Sequence, residues 1–235
     1  MPDGEQVTKD NVVELTESTA YKRFPDDQVA RKNYLQTLAS EVVKKITGPV
    51  ESPKALLEAL GKAVSQGRIS VWSAAPGEQQ ALERTPLAHV IPDDAAPYAN
   101  VVLNNLGGNK MDYYLRRQIE YVADGCEGEK RNSTVTVRLE NVAPTNEPMP
   151  DYIAGMLGVS QDVLSRVRAP KGTMLTSVRL VGTKGATLTS VIADGQKVPV
   201  FTGSERGHPT FEVQVFIPPG QSGELTFHLS EPAAP

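Results

Sequence analysis

The spacing of apolar residues changes near Tyr98, from helical before it to alternating after it. Apolar residues three and four apart share one face of a helix, whereas alternation places them on one face of a strand. The chain therefore predicts an α+β fold. We expect a helical α+β part over residues 1–97 and an antiparallel β-sandwich domain over residues 98–235.

Three helices are predicted in the first part from start and stop signals. The candidate N-caps are Asp10, Asp26 or Asp27, and Ser52 followed by Pro53. The candidate stops are Phe24-Pro25, Gly48 and Gly67. The apolar stripes are Tyr34, Leu35, Leu38, Val42 and Ile46 on the second helix, and Leu56, Leu57, Leu60 and Val64 on the third. RISVWS (68–73) alternates and predicts a strand, and a short helix is expected over 78–84.

The second part carries many short alternating segments separated by glycine and proline. Strands are expected at YANVVLN, from Met111 to Tyr121, at STVTVRLEN, and around 174–181, 187–193, 198–201, 211–217 and 225–229. The buried side of STVTVRLEN is predicted to carry Val135, Val137 and Leu139. DGCEGEKRN predicts a loop, and the terminal SEPAAP a loose tail. A crossing loop with a helical turn is expected over 142–171.

The stretch NNLGGNKMDYYLRR (104–117) allows two interpretations. A phosphate-binding glycine loop needs a helix after it, whereas here an alternating pattern follows, so we favour a turn that leads into a strand. In such a strand Lys110, Asp112, Tyr114 and Arg116 would share one polar face. That face is either solvated or packed against the helical part, or it contacts a ligand.

A second candidate site lies in YKRFPDDQVARKNY (21–34), where Lys22, Arg23 and Arg31 flank an expected helix start. Arginines beside a helix N-terminus form an anion site in physical terms. The simpler interpretation is that Asp26 or Asp27 caps the helix while the basic residues are merely exposed.

Composition excludes several function classes. The formal charge of −4 disfavours a nucleic-acid partner. Three scattered histidines and a single cysteine predict neither a zinc site nor a disulfide. The chain contains no motif of a serine hydrolase, a zinc protease or a P-loop enzyme, and no metal site or catalytic residue is predicted. No apolar run is long enough to span a bilayer, so we expect this chain to be soluble.

Several stretches occur in an order that resembles the C-terminal part of the domain of unknown function 4012 family, found mostly in actinobacteria. They are DNVVELTESTAYKRFPDD, PKALLEALGKA, RISVWSA, VVLNNLGGNKMDYYLRR, STVTVRLENVAP and RAPKGTMLTSVRLVG. The resemblance implies an extracytoplasmic, membrane-associated cell-envelope protein. Its membrane helix would lie upstream of this chain. We therefore expect residues 1–97 to be the C-terminal portion of a larger domain.

A more distant resemblance is to the second half of the LytR-CpsA-Psr domain, through PDGEQ, the Tyr-Lys-Arg helix end, the acidic pair and PKALLEAL. Those enzymes transfer glycopolymers from a polyprenyl-pyrophosphate carrier. The resemblance implies that Arg23, Asp27 and Arg31 would bind pyrophosphate and its Mg²⁺, with Lys110 and Arg116 extending the basic surface. The arginine spacing follows that family's pattern only approximately.

These observations favour a non-catalytic binding or structural module over an enzyme. Its expected partners are a cell-wall glycan or an envelope protein, and it needs no cofactor. The alternative is a remnant of a phosphotransferase, which would use Mg²⁺. A third interpretation is a spacer without a ligand. The oligomeric state is left open.

Overall fold

The computed structural model describes residues 4–49, 52–94, 96–156, 158–160, 162–163, 166 and 169–233. The chain divides into two compact units by its internal contacts. The helical unit contains Met1–Gln6 and Leu35–Pro92, and the sandwich unit contains Val7–Tyr34 and Asp93–Pro235. The expected domain boundary at residue 97 stays a prediction.

The helices largely follow the predicted signals. They are α1 (Val12–Glu14), continued by a π-helical turn (Leu15–Thr19) into α2 (Ala20–Arg23), then α3 (Gln28–Thr47), α4 (Pro53–Ser65), α5 (Pro76–Glu83) and α6 (Asp151–Ala154). Asp10 was the predicted N-cap of the first helix, but the helix starts after Asn11. It ends at Phe24, where the following proline disfavours helical geometry.

The caps of α4 are those that the sequence indicates. Ser52 Oγ accepts a hydrogen bond from the Ala55 N–H at 3.3 Å, and Pro53 occupies the first helical position. Gly67 adopts a positive φ of 66°, which lets the chain leave the helix. The predicted apolar stripe is present but is not buried, since Leu57 is 69% exposed and no residue of α4 is buried.

The strand predicted at RISVWS is wrong. Residues 69–73 run without regular secondary structure, and the Val71 N–H donates to Leu87 O at 2.8 Å. Trp72 is 74% exposed. Alternation favours an extended backbone, but a strand also needs a neighbouring strand for its hydrogen bonds.

The sandwich unit contains two antiparallel sheets, as predicted. The strands are β1 (Ala99–Asn105), β2 (Leu115–Glu127), β3 (Lys130–Asn141), β4 (Met174–Gly182), β5 (Thr187–Ala193), β6 (Gln196–Lys197), β7 (Phe201–Glu205), β8 (His208–Ile217) and β9 (Ser222–Pro232). One sheet has the order β1-β4-β8-β7, and the other has the order β2-β3-β9-β5-β6. The predicted buried row on β3 is confirmed at Val135, Val137 and Leu139.

Two predictions around β2 are wrong. Residues Met111–Tyr114 form a 3₁₀ turn, so the strand begins only at Leu115. The predicted loop DGCEGEKRN is mostly strand, because β2 and β3 continue to a two-residue turn at 128–129. Gly128 takes the positive φ of 64° that this turn requires.

The segment between β3 and β4 contains the expected helical turn, α6, in the part of 142–171 that the structure describes. The predicted loose tail is wrong over residues 230–232, which complete β9. The Ala233 N–H donates to Glu129 O at 2.8 Å. The sequence of residues 230–233 does not indicate this strand, because the strand depends on pairing with β3, which lies about a hundred residues earlier in the chain.

Glu231 is the centre of a buried polar cluster with Tyr121, Arg131 and Thr183. Its Oε2 accepts hydrogen bonds from Arg131 Nη2 at 2.8 Å, Arg131 Nε at 3.0 Å and the Tyr121 hydroxyl at 2.7 Å. Its Oε1 accepts from the Thr183 hydroxyl at 2.8 Å. The side chain of Glu231 is 0% exposed and that of Arg131 is 8% exposed. Both carboxylate oxygens therefore have partners, as a buried charge requires.

The cluster also affects the titration of its tyrosine. Burial raises the pKa of the Tyr121 phenol, and the hydrogen bond to the Glu231 carboxylate raises it further. Burial lowers the pKa of Arg131, but the hydrogen bond to Glu231 and the nearby negative charges outweigh it and leave this pKa raised. Arg131 therefore stays charged in the folded protein.

Within the described ranges, no helix has the length and apolar character needed to cross a membrane.

We predict that Arg131→Met lowers the free energy of unfolding by about 3–5 kcal/mol, because it leaves a buried carboxylate without its cation. The matched control is Arg138→Met, whose partner Glu224 lies 2.6 Å away on the surface and whose side chain is 47% exposed. That change should cost about 1 kcal/mol or less. Urea unfolding measures both, and equal losses would contradict the central role of the cluster.

We also predict that stability falls as the pH rises above about 10, the ordinary phenol pKa. The unfolded chain releases its tyrosine protons first there, and the loss continues through the raised pKa of the folded state. Tyr121→Phe should make unfolding free energy less dependent on pH between about 9 and 11. Urea unfolding across that range tests this, and an unchanged dependence would show that Tyr121 is not responsible.

Candidate functional site

Arg31 lies in the first turns of α3 and is only 4% exposed. Its Nη1 donates to Phe24 O at 2.6 Å and to Pro25 O at 3.3 Å. Carbonyls at the end of a helix lack partners within the helix, and the guanidinium supplies them here. Arg31 thus fastens the turn between α2 and α3.

The same guanidinium is part of a stacked group that we call the tyrosine cluster: Tyr21, Arg31, Lys110 and Tyr152. Arg31 Cζ lies 4.0 Å from the ring centroid of Tyr152 and 5.4 Å from that of Tyr21. The two rings are stacked, with centroids 5.8 Å apart and planes inclined by 13°. Lys110 Nζ lies 5.1 Å from the Tyr21 centroid. Cation–π attraction therefore holds both cations against aromatic faces.

Asp27 and Arg23 lie at the same turn and contact other groups. Asp27 Oδ1 accepts a hydrogen bond from the Ala30 N–H at 2.9 Å, which is the geometry of an N-cap. Arg23 Cζ lies 5.1 Å from the ring centroid of Tyr34. No group of three or more potential metal ligands occurs among the described residues.

Arg116 lies on β2, in a shallow depression of about 400 Å³. The depression is lined by Arg116, Arg117, Gln118, Arg138, Leu139, Glu140 and Ser222. The expected strand face shared by Lys110, Asp112, Tyr114 and Arg116 is wrong, because the 3₁₀ turn interrupts the alternation before β2. Tyr114 is buried, whereas Asp112 is exposed. Of the five predicted site residues, Arg31 and Lys110 thus lie against the same ring, that of Tyr21. Arg23, Asp27 and Arg116 contact other groups.

The glycines of NNLGGNKMDYYLRR form the predicted turn. Gly108 has a φ of 66°, and the Gly107 N–H donates to Asn105 Oδ1 at 2.8 Å. Asn105 Nδ2 donates to Asn109 Oδ1 at 3.0 Å and to Asp112 Oδ2 at 3.0 Å. A Cβ on Gly107 would lie 2.9 Å from the Asn109 amide nitrogen, so a larger residue there would displace the Asn109 side chain. The glycines are explained by this asparagine-organised turn.

One concave surface was missed by sequence reasoning, and we call it the proline-lined cleft. It encloses about 390 Å³ and is lined by Pro144, Thr145, Glu147, Pro148, Met149, Ala154, Pro170, Lys171 and Pro219. Lys171 Nζ pairs with Asp151 Oδ1 at 2.6 Å. The prolines of the crossing segment were the available signal. Pro219, which follows β8, could be assigned to the cleft only from the fold.

The chain was also compared with known proteins. No protein-family model matches it, and no curated protein matches it closely enough to count as a relative.

We predict that Arg31→Met lowers the free energy of unfolding by about 2–3 kcal/mol, because charged hydrogen bonds to the half-buried carbonyls of Phe24 and Pro25 are lost. The control is Lys110→Met, which removes the other cation at Tyr21 but should cost about 1 kcal/mol or less. Chemical unfolding of the two variants beside wild type provides the comparison. If Arg31→Met is as mild as the control, Arg31 does not fasten the turn.

Proposed function

We propose that this chain is a non-catalytic binding module of a membrane-anchored cell-envelope protein and acts outside the cytoplasm. The resemblance to the domain of unknown function 4012 family supports the setting. The observation that carries the non-catalytic assignment is that the Arg31 guanidinium binds carbonyls of its own chain. A pyrophosphate site would need this guanidinium to be available to a ligand, but it is buried and donates to Phe24 O and Pro25 O.

Two further residues of the phosphotransferase alternative, Asp27 and Arg116, support the same conclusion. Asp27 caps α3, because its Oδ1 accepts a hydrogen bond from the Ala30 N–H, and this structural role explains the carboxylate without a metal. Arg116 lies in the depression on β2 rather than in the tyrosine cluster. A catalytic site needs its groups to converge on one reacting position. The alternative retains one supporting feature, the approach of Lys110 and Arg31 to the same ring.

The proline-lined cleft is the surface that we assign to the partner, a cell-wall glycan fragment. Its volume of about 390 Å³ lies within the range of small-ligand sites. Its wall combines apolar groups from prolines and Met149 with polar groups from Thr145, Glu147 and Lys171. Rigid proline walls lose little conformational entropy when a ligand binds. Sugar rings also present apolar faces and hydroxyl groups, which this combination can contact.

The test is a thermal-shift titration of the whole chain with soluble peptidoglycan fragments, and separately with farnesyl pyrophosphate plus Mg²⁺. We expect only the glycan fragments to raise the melting temperature, because a ligand of the folded state adds about 2.7 kcal/mol at a hundredfold excess over Kd. Thr145→Trp, which fills the cleft, should abolish the shift. Thr202→Trp, at an exposed position of β7, should leave it unchanged.

Other results would contradict the proposal in different ways. A shift with farnesyl pyrophosphate alone would favour the phosphotransferase remnant. No shift with either ligand would favour a spacer. A glycan shift that survives Thr145→Trp would place the glycan outside the cleft.

A further inference from the structure

β2 forms one edge of the five-stranded sheet and is unusually open for an edge strand. It has 13 residues, whereas β6 at the opposite edge has two. All residues of β2 except Leu115 and Tyr121 are exposed. Natural proteins commonly protect edges by short strands, prolines or charged side chains, lysine above all. β2 is long and contains neither proline nor lysine, although it carries Arg116, Arg117 and Glu120. A bulge between Ala123 and Cys126 ends its regular stretch.

The backbone direction of β2 follows from its pairing with β3. Leu115 lies opposite Asn141, and the Val142 N–H donates to Tyr114 O at 2.9 Å. Tyr114 therefore directs its backbone groups towards β3, and so does every second residue after it. The N–H and C=O groups of Leu115, Arg117, Ile119 and Tyr121 then point towards the open edge.

These four residues also share the face that continues the buried row of β3. Ile119 lies opposite Val137, which is 0% exposed, yet Ile119 itself is 45% exposed. The four-stranded sheet thus does not cover β2. A strand added at this edge would satisfy the outward backbone groups and cover part of the exposed apolar surface.

We propose that this strand is β2 of a second copy of the chain, paired antiparallel about a twofold axis at Gln118. In this register Arg116 lies opposite Glu120 of the second copy, and the symmetry repeats the pair. Leu115 lies opposite Tyr121, and Arg117 opposite Ile119. Opposite residues of an antiparallel pair have Cβ atoms about 5 Å apart, so the charged side chains can meet. A twofold interface is self-complementary, as this sequence is.

Neighbouring registers match the charges less well. An axis at Ile119 places Arg116 opposite Val122 and brings no opposite charges together. An axis at Glu120 places Arg116 opposite Asp124, in the bulge, but it also sets the two Glu120 side chains against each other, which is unfavourable. The register centred on Gln118 is the one of the three that joins opposite charges without opposing like charges. Two glutamine amides at the axis can also donate to and accept from each other.

The present partner of Glu120 does not prevent this pairing. Glu120 Oε2 lies 3.8 Å from Arg138 Nη1, which is a distant ion pair. Arg138 has a closer partner in Glu224, at 2.6 Å. Glu120 can therefore turn to Arg116 of the second copy while Arg138 stays paired.

The test is sedimentation of the full chain from low to high micromolar concentration. Wild type should dimerise, and Arg116→Glu and Glu120→Arg should each raise the dimer dissociation constant by at least about tenfold, because each reversal makes both symmetric pairs repulsive. An equimolar mixture of the two variants should form a heterodimer of near wild-type affinity, since opposite charges then face each other again. The double variant should dimerise as well.

Lys197→Glu, on β6 at the other edge of the same sheet, is the matched charge-reversal control and should not change dimerisation. Circular dichroism of each variant checks that the fold is kept. A monomeric wild type at high micromolar concentration would overturn the proposal, including the case in which it binds a strand from another protein instead. A dimer that both reversals leave intact, or a mixture that does not associate, would overturn it as well.

Discussion

The buried carboxylate of Glu231 is the constraint on which the sandwich depends. It lies directly opposite Arg131 in the β3–β9 pairing, and it reaches Thr183, which follows β4 of the other sheet. A shift of β9 by one residue would move the carboxylate to the opposite face and leave Arg131 buried without a partner. The free-energy cost of leaving Arg131 buried without a partner therefore favours the observed register of β9 over a register shifted by one residue. Because one acid bonds to groups from both sheets, it also fixes where the two sheets meet.

Local chemistry made part of the fold predictable. The caps of α4 depend only on Ser52, Pro53 and Gly67, so they could be assigned without tertiary information. The buried row on β3 follows in the same way from alternation. RISVWS alternates too, but no strand among the described residues lies beside it, and nothing in the segment itself reveals this. Residues 230–232 show the converse, since a polar, proline-bearing end becomes a strand through a distant carboxylate contact.

The sequence predicted which residues of the candidate site lie together better than it predicted what those residues bind. Sequence reasoning grouped Arg31 and Lys110, and both approach Tyr21. The pattern of basic residues at a helix start could not distinguish an anion site from a guanidinium that binds carbonyls of its own chain. That distinction depends on Tyr152 and on the turn at Phe24-Pro25. Burial decides it, because a side chain that is 4% exposed has little surface left for a ligand.

The exposed apolar surface of the two units has different physical origins. In the helical unit, α4 carries an amphipathic stripe with no buried residue. The sequence signals that predict a helix therefore do not predict that its apolar face is buried. In the sandwich unit, the open surface of β2 results from unequal sheets, since four strands cannot cover five. Ile119 keeps the pattern of a buried row although the row extends past the opposite sheet. Alternation alone therefore records which face a residue takes, and the width of the second sheet determines whether that face is covered.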